Sequence, residues 1–261
     1  MIILPRLKFV KTGMSDIDEK ILANKGLPRP GTIYILGHPG VGKTTFVATY
    51  LVNRAKEGEK GVYVSLIENK ELFIEHFREF SFYNDLAKFI ENNTIYFAGA
   101  PPVYGYDSKR ILDLFENVGN LINSLNAKNL VIDSINALTL YLKMQQIRTL
   151  ITRLYYLTID NDLTIILIGE LPLFSTSTYS WSEEFIADIV LLMDYVWIIS
   201  GVPRLAVRLV PVKSRMFNVA KIPYEVQVDY NNGLKLIHEL IEPYVPFAKE
   251  VSRGAGYMEE R

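Results

Sequence analysis

The sequence predicts an α/β fold, with a mostly parallel sheet flanked by helices and an antiparallel strand extension at its C-terminal side. Three observations carry this. Apolar strand-like runs alternate with segments of helical periodicity from residue 32 to residue 169. The strand-like runs are apolar almost without a break, the pattern of strands covered on both faces. After residue 184 the alternation stops, and strand-like runs follow one another across short turns.

The elements follow in order. Residues 1–30 form a leading segment punctuated by turns, ending in Pro28, Arg29, Pro30 and Gly31. TIYIL (32–36) reads as a strand and precedes a helix at about 43–57. GVYVSLI (61–67) precedes a single helix over 70–82, with Phe73, Phe77 and Phe80 at helical spacing. NTIYFAG (93–99) leads through a Pro-Pro loop to a helix at about 108–126. NLVIDS (129–134) leads to a helix at about 143–160, and LTIILIG (163–169) completes the alternation. IADIVLLMDYVWIIS, PRLAVRLVPVKS and KIPYEVQVDY then read as consecutive strands. Residues 1–242 make one domain, and 243–261 a loosely ordered tail with Pro, Gly and charge but no period.

With 261 residues, 49% of them hydrophobic, the chain can bury one large core. A net charge of −1 gives no overall attraction to nucleic acid or membrane. The absence of cysteine excludes disulfides, thiolate metal sites and cysteine nucleophiles, and fits a reducing compartment. No leader pattern opens the chain, and no apolar run approaches the ~18 residues that span a bilayer. A soluble, cytoplasmic protein is expected.

The strongest motif is LGHPGVGKTTF at 36–46, set between a strand and a helix. Its loop comprises Gly37, His38, Pro39, Gly40, Val41, Gly42, Lys43, Thr44 and Thr45. The glycines let the backbone N–H groups turn inward on phosphate oxygens, and the helix N-terminus adds its positive end. Lys43 would reach the β- and γ-phosphates, and the Thr44 hydroxyl would ligate Mg²⁺. Nothing marks His38 as catalytic. Asp133 ends the apolar strand LVID, where a carboxylate beside the loop's strand can hold the Mg²⁺ shell; a helix N-cap is its alternative role. Glu68 follows its own strand and either polarises the attacking water or is a solvated loop residue. Residues 201–224 carry Arg204, Arg208, Lys213, Arg215 and Lys221 with no acidic residue. Lys213 and Arg215 share one strand face, able to grip a phosphate or merely to guard a sheet edge.

This ordered set resembles the KaiC/RadA branch of the RecA-like P-loop ATPases over residues 9–237. KTGMSDIDEKI is similar to that family's T-G-x-x-G-L-D element, keeping Thr12, Gly13 and Asp18, with Asp16 where glycine is usual. GVYVSLIENKELF resembles its Y-V-S-x-E-E segment, LVIDSINAL its Walker B strand, and Lys213-Ser214-Arg215 its K-x-R pair. The resemblance implies an ATP- and Mg²⁺-dependent homo-oligomer, up to a hexamer, with ATP between subunits. Lys213 and Arg215 then reach the γ-phosphate of a neighbour. Two departures imply weak turnover. The first of the paired glutamates is Ile67, leaving Glu68, and the fifth strand ends Ile168-Gly169-Glu170, without the usual hydroxyls.

Recombinases of this branch bind DNA through loops, here about 171–186. That segment has no Lys or Arg and two glutamates, although Phe174, Tyr179 and Trp181 could stack bases. A mobile loop that packs on a neighbouring subunit or an unknown protein partner is the stronger expectation. Three functions fit: a slow oligomeric ATPase, a RadA-like recombinase paralogue that binds DNA, and a nucleotide-gated regulatory scaffold with little hydrolysis. Autophosphorylation in the serine cluster of residues 175–180 is imaginable, but no specific site marks it.

Overall fold

The computed structural model describes residues 6–99, 108–173, 186–241 and 243–246. Its twelve strands are β1 (Lys8–Val10), β2 (Leu27–Arg29), β3 (Gly31–Gly37), β4 (Gly61–Ser65), β5 (Ile95–Gly99), β6 (Asn129–Asp133), β7 (Thr164–Glu170), β8 (Ile189–Ile198), β9 (Arg204–Ser214), β10 (Tyr224–Asp229), β11 (Gly233–Glu239) and β12 (Tyr244–Pro246). Its α-helices are α1 (Lys43–Lys56), α2 (Lys70–Glu75), α3 (Tyr83–Glu91), α4 (Ser108–Leu125) and α5 (Met144–Asn161).

One sheet runs β11-β10-β9-β8-β3-β7-β6-β4-β5, with β12 pairing the far end of β8. The members from β8 to β5 are parallel, and β9, β10, β11 and β12 are antiparallel. The mostly parallel sheet with an antiparallel extension is therefore as the sequence predicts. The side-chain period of two divides each central strand between the two faces. Ile33, Ile35, Tyr63, Val131, Ile166 and Ile168 face the core under α1, α2 and α3. Tyr34, Val62, Val64, Leu130, Ile132, Ile165 and Leu167 face the core under α4 and α5. Burial on both faces is why these runs are continuously apolar.

Four expectations are corrected. First, the helix expected over 70–82 stops at Glu75, and α3 follows from Tyr83. Asn69 caps α2 by accepting from the Leu72 N–H at 2.8 Å. Beyond it, Phe77, Arg78 and Phe80 donate to carbonyls three residues back. These tighter turns bring Phe77, Phe80 and Phe82 into one buried cluster, which a 3.6-residue period cannot do. Second, β6 is not beside β3, since β7 lies between them. Third, the leading segment, expected only as turn-punctuated chain, pairs β1 with β2. Within it Asp18 accepts from the N–H groups of Thr12 and Gly13 at 2.9 and 3.2 Å, and Asn53 of α1 donates to the Thr12 carbonyl. The Thr-Gly-Asp element thus fastens the chain to the phosphate-loop helix. Fourth, Tyr244–Pro246, placed in the tail from the sequence, pairs with Val196–Ile198 of β8. Residues 247–261 and the Pro-Pro loop lie outside the described residues.

Beneath the sheet, Arg29 is buried with its guanidinium on Glu59 (2.6 and 2.8 Å), Asn129 (2.7 Å) and Thr164 (3.2 Å). Tyr50 of α1 donates to the same Asn129 oxygen. This polar cluster ties the starts of β6 and β7 to α1 and sets the height at which α1 meets the loop.

Candidate nucleotide site

The loop leaves β3 at Gly37, whose neighbour in the sheet is Met193 of β8. A Cβ at Gly37 would collide with the Met193 carbonyl, so glycine alone permits this approach. Gly40 and Gly42 take left-handed φ values of 79° and 96°, which turn the chain into the start of α1. Val41 is buried in the core and anchors the loop from within. His38 is 4% exposed and turned away from the cavity. Its Nδ1 accepts the Tyr195 N–H at 3.1 Å, and its ring stacks on Tyr195. Burial lowers its pKa, Asp194 opposes that, and the accepting Nδ1 carries no proton. His38 therefore serves the loop as an anchor on β8 and through its carbonyl.

Lys43 is buried, and its ammonium donates to the carbonyls of Gly37 (2.8 Å) and His38 (2.7 Å). Burial lowers its pKa, against Glu170 and Asp133, which raise it. The Thr44 hydroxyl donates to Asp133 Oδ2 at 2.9 Å, and the Tyr63 hydroxyl donates to the same oxygen at 2.8 Å. Asp133 is pushed up by burial, which these two hydrogen bonds and Lys43 oppose.

A cavity of about 390 Å³ opens over these groups. Its walls include Gly40, Gly42, Lys43, Thr44, Thr45, Ser65, Glu68, His76, Asp133 and Glu170 on the polar side. Ile67, Phe77, Phe80 and Val228 form an apolar side. An equally large cavity between α4 and α5 is lined by Leu112, Phe115, Leu150 and Leu154 and has no loop of N–H donors. Size does not distinguish the two; the phosphate-binding chemistry does.

Glu68 is 17% exposed and pairs with His76 Nδ1 at 3.1 Å. Burial raises its pKa, His76 lowers it, and Asp133 raises it again. The Glu68 N–H and, more weakly, the Ile67 N–H point to Ser65 Oγ, which shapes the turn after β4. Ile67 is half exposed and lines the cavity beside Glu68. At Gly169 a Cβ would run into the Tyr34 hydroxyl, so the sheet has no room for a side chain there.

Lys213 and Arg215 are not in this cavity. Lys213 pairs with Val190, and the Arg215 N–H donates to the Asp188 carbonyl at the start of β8. Asp188 in turn sits against Thr32, five residues before Gly37. At ~3.3 Å per residue the loop is about 17 Å farther along the sheet from the level of Arg215 and about 10 Å from that of Lys213, with β8 in between, beyond the reach of either side chain within one chain. Burial raises the Asp188 pKa, and its bond to Thr32 and the nearby Arg215 and Lys213 lower it. The segment 174–185, which holds Phe174, Tyr179, Trp181 and the serine cluster of the DNA and autophosphorylation expectations, lies outside the described residues.

A hydroxyl and a carboxylate in contact beside a phosphate loop are hard oxygen donors, the kind Mg²⁺ takes in ones and twos while phosphates and water complete its shell. Thr44 and Asp133 therefore fit that ion. Among the described residues no group of three or more His, Asp or Glu forms an all-protein metal cage. Nor is any described helix long and apolar enough to cross a membrane.

Sequence reasoning missed Tyr63, His76 and Ser65. Tyr63 and Ser65 share one face of β4 with two-residue spacing, a signal readable from the strand alone. His76 could not be found that way, because its place depends on where α2 ends.

The chain is similar to known proteins over most of its length. The KaiC ATPase family model matches residues 10–240. A UPF0273 protein of Pyrococcus horikoshii is 29% identical over 62% of this chain and 68% of its own length. The circadian clock protein KaiC2 of Synechocystis sp. is 29% identical over 70% of this chain, a match that takes in 32% of that protein. The crystal structure of a KaiC-like protein from Pyrococcus horikoshii superposes with a TM-score of 0.73 at 27% identity, covering 89% of this chain and all of the other. With a phosphate loop, a Thr44–Asp133 contact and a family match spanning nearly the whole chain, this protein belongs to the KaiC family of RecA-like ATPases.

Proposed function

We propose that this chain binds ATP with Mg²⁺, assembles with copies of itself so that ATP lies between subunits, and hydrolyses it slowly. One observation carries the reading: Lys43, Thr44 and Asp133 converge at one end of the sheet, while Lys213 and Arg215 lie at the other. In this reading the loop N–H groups and Lys43 hold the β- and γ-phosphates, with Lys43 leaving the Gly37 and His38 carbonyls. Thr44 and Asp133 would hold Mg²⁺, which neutralises developing phosphate charge. Glu68 orients and deprotonates the attacking water. Lys213 and Arg215 of one subunit complete the site of the next, since neither reaches its own loop.

The test is solution mass with and without MgATP, with turnover recorded on the same sample. Lys43→Ala is expected to lose ATP binding, and Arg215→Ala to bind but not turn over. Mixed oligomers of the two are expected to regain activity, because some interfaces pair an intact loop with an intact arginine. No recovery in well-mixed oligomers refutes action in trans, and a Lys43→Ala protein as active as wild type refutes the ATPase reading.

A second reading, a nucleotide-gated scaffold with little hydrolysis, draws on Ile67 lining the cavity and on Gly169 facing Tyr34. Its signature is an ATP-dependent change in mass without turnover. The recombinase reading rests on the resemblance alone, and absence of single-strand DNA binding at low salt with ATP present removes it.

A further inference from the structure

Asp133 carries two hydrogen bonds on one oxygen, and only one of the donors belongs to the phosphate loop. The other is the phenol of Tyr63, wholly buried in β4. In the sheet Tyr63 lies opposite Val131, and Asp133 lies opposite Ser65. The tyrosine ring therefore spans two residues of strand to bring its hydroxyl to the carboxylate. The ring is clamped between Phe73, at 4.4 Å between centroids, and Phe97, at 5.4 Å. Phe73 belongs to α2, whose end carries His76, the partner of Glu68.

We infer that Tyr63 is a positioning residue for Mg²⁺: through its hydroxyl it fixes the orientation of the Asp133 carboxylate and keeps that buried group fit to hold the ion's shell. A hydroxyl that ligates Mg²⁺ does so through an oxygen lone pair and keeps its hydrogen, so Thr44 would still donate to Asp133 with the ion bound. Tyr63 is the donor on that same oxygen that belongs neither to the phosphate loop nor to the ion's shell, and so holds the carboxylate with or without the ion. A buried carboxylate without a donor is both disordered in direction and costly to keep charged. Partners in this outer position typically change metal affinity 10–100-fold when removed. The aromatic clamp makes the device stiff, because the ring cannot rotate away without moving α2.

The inference rests on the nucleotide reading above, and its test separates the two. Tyr63→Phe removes one oxygen and keeps the packing with Phe73 and Phe97. A fluorescent ATP analogue (mant-ATP) is titrated first in EDTA and then, at fixed nucleotide, with MgCl₂. The expected result is a half-saturating Mg²⁺ concentration raised about tenfold or more, with affinity in EDTA within about twofold of wild type. Adding back Mg²⁺ at saturating concentration restores binding to the wild-type level. An unchanged Mg²⁺ midpoint overturns the inference. So does an equal loss of affinity with and without the metal, which marks a merely structural tyrosine. Wild-type protein that binds no mant-ATP in either condition overturns the nucleotide reading itself.

Discussion

Replacing Glu59 with Gln tests the polar cluster that sets α1 under the phosphate loop. Arg29 is 2% exposed and Glu59 21%, so the charge of one is held by the other with little water between them. Burial by itself would raise the Glu59 pKa. Hydrogen bonds from Arg29, Arg54 and Asn129 overcome it and hold the carboxyl at about 2, against an ordinary 4.5. At about 1.4 kcal/mol per pH unit, that gap is worth about 3 kcal/mol of stability at pH 7. The sign follows from the depression: the stabilisation is complete above about pH 4.5 and is lost as pH falls through about 2. At pH 3 less than half of it remains. Glu59→Gln is therefore expected to cost about 3 kcal/mol at neutral pH, within the range for breaking a buried pair. For a domain of this size that is roughly 6–12 °C in melting temperature. Urea unfolding of both proteins at pH 7, 5, 4 and 3 measures it, with the difference expected to narrow at the acid end. A difference under about 1 kcal/mol at pH 7, or one that stays constant down to pH 3, refutes the reasoning.

Three further outcomes are expected. Glu68→Gln should bind MgATP as wild type does and lose about 100-fold or more in turnover; unchanged turnover removes Glu68 as the base. His76→Gln should leave binding intact and lower turnover, because Glu68 loses the ring nitrogen that holds it at 3.1 Å; turnover equal to wild type shows that the pair is incidental. Gly37→Ala forces a Cβ onto the Met193 carbonyl and should cost about 1–3 kcal/mol, read as a lower melting temperature; an unchanged melting temperature contradicts the close packing of β3 on β8.

Some of this protein was legible residue by residue. The phosphate loop is a local device, since its glycines, lysine and threonine are consecutive and their geometry is set by a strand, a turn and a helix start. The buried strands announced themselves by continuous apolar composition, because burial on both faces leaves no place for polar alternation. Asp133 could be singled out because a carboxylate ends such a strand. That it touches Thr44 across the intervening β7 was not readable, since strand order is a matter of crossover connections and not of composition. The same holds for the end of α2. Phe73, Phe77 and Phe80 fit a helical period, yet the chain leaves the helix at Glu75 because tighter turns bury more aromatic surface together.

That a phosphate-binding loop sits on a buried parallel sheet can be read from the residues alone, because those signals lie within single elements. The tertiary structure alone decided that Tyr63 and His76 attend Asp133 and Glu68. It also decided that Lys213 and Arg215 stand too far along the sheet to serve their own loop. These relations join residues far apart in the chain, and only the strand order and register bring them together or keep them apart.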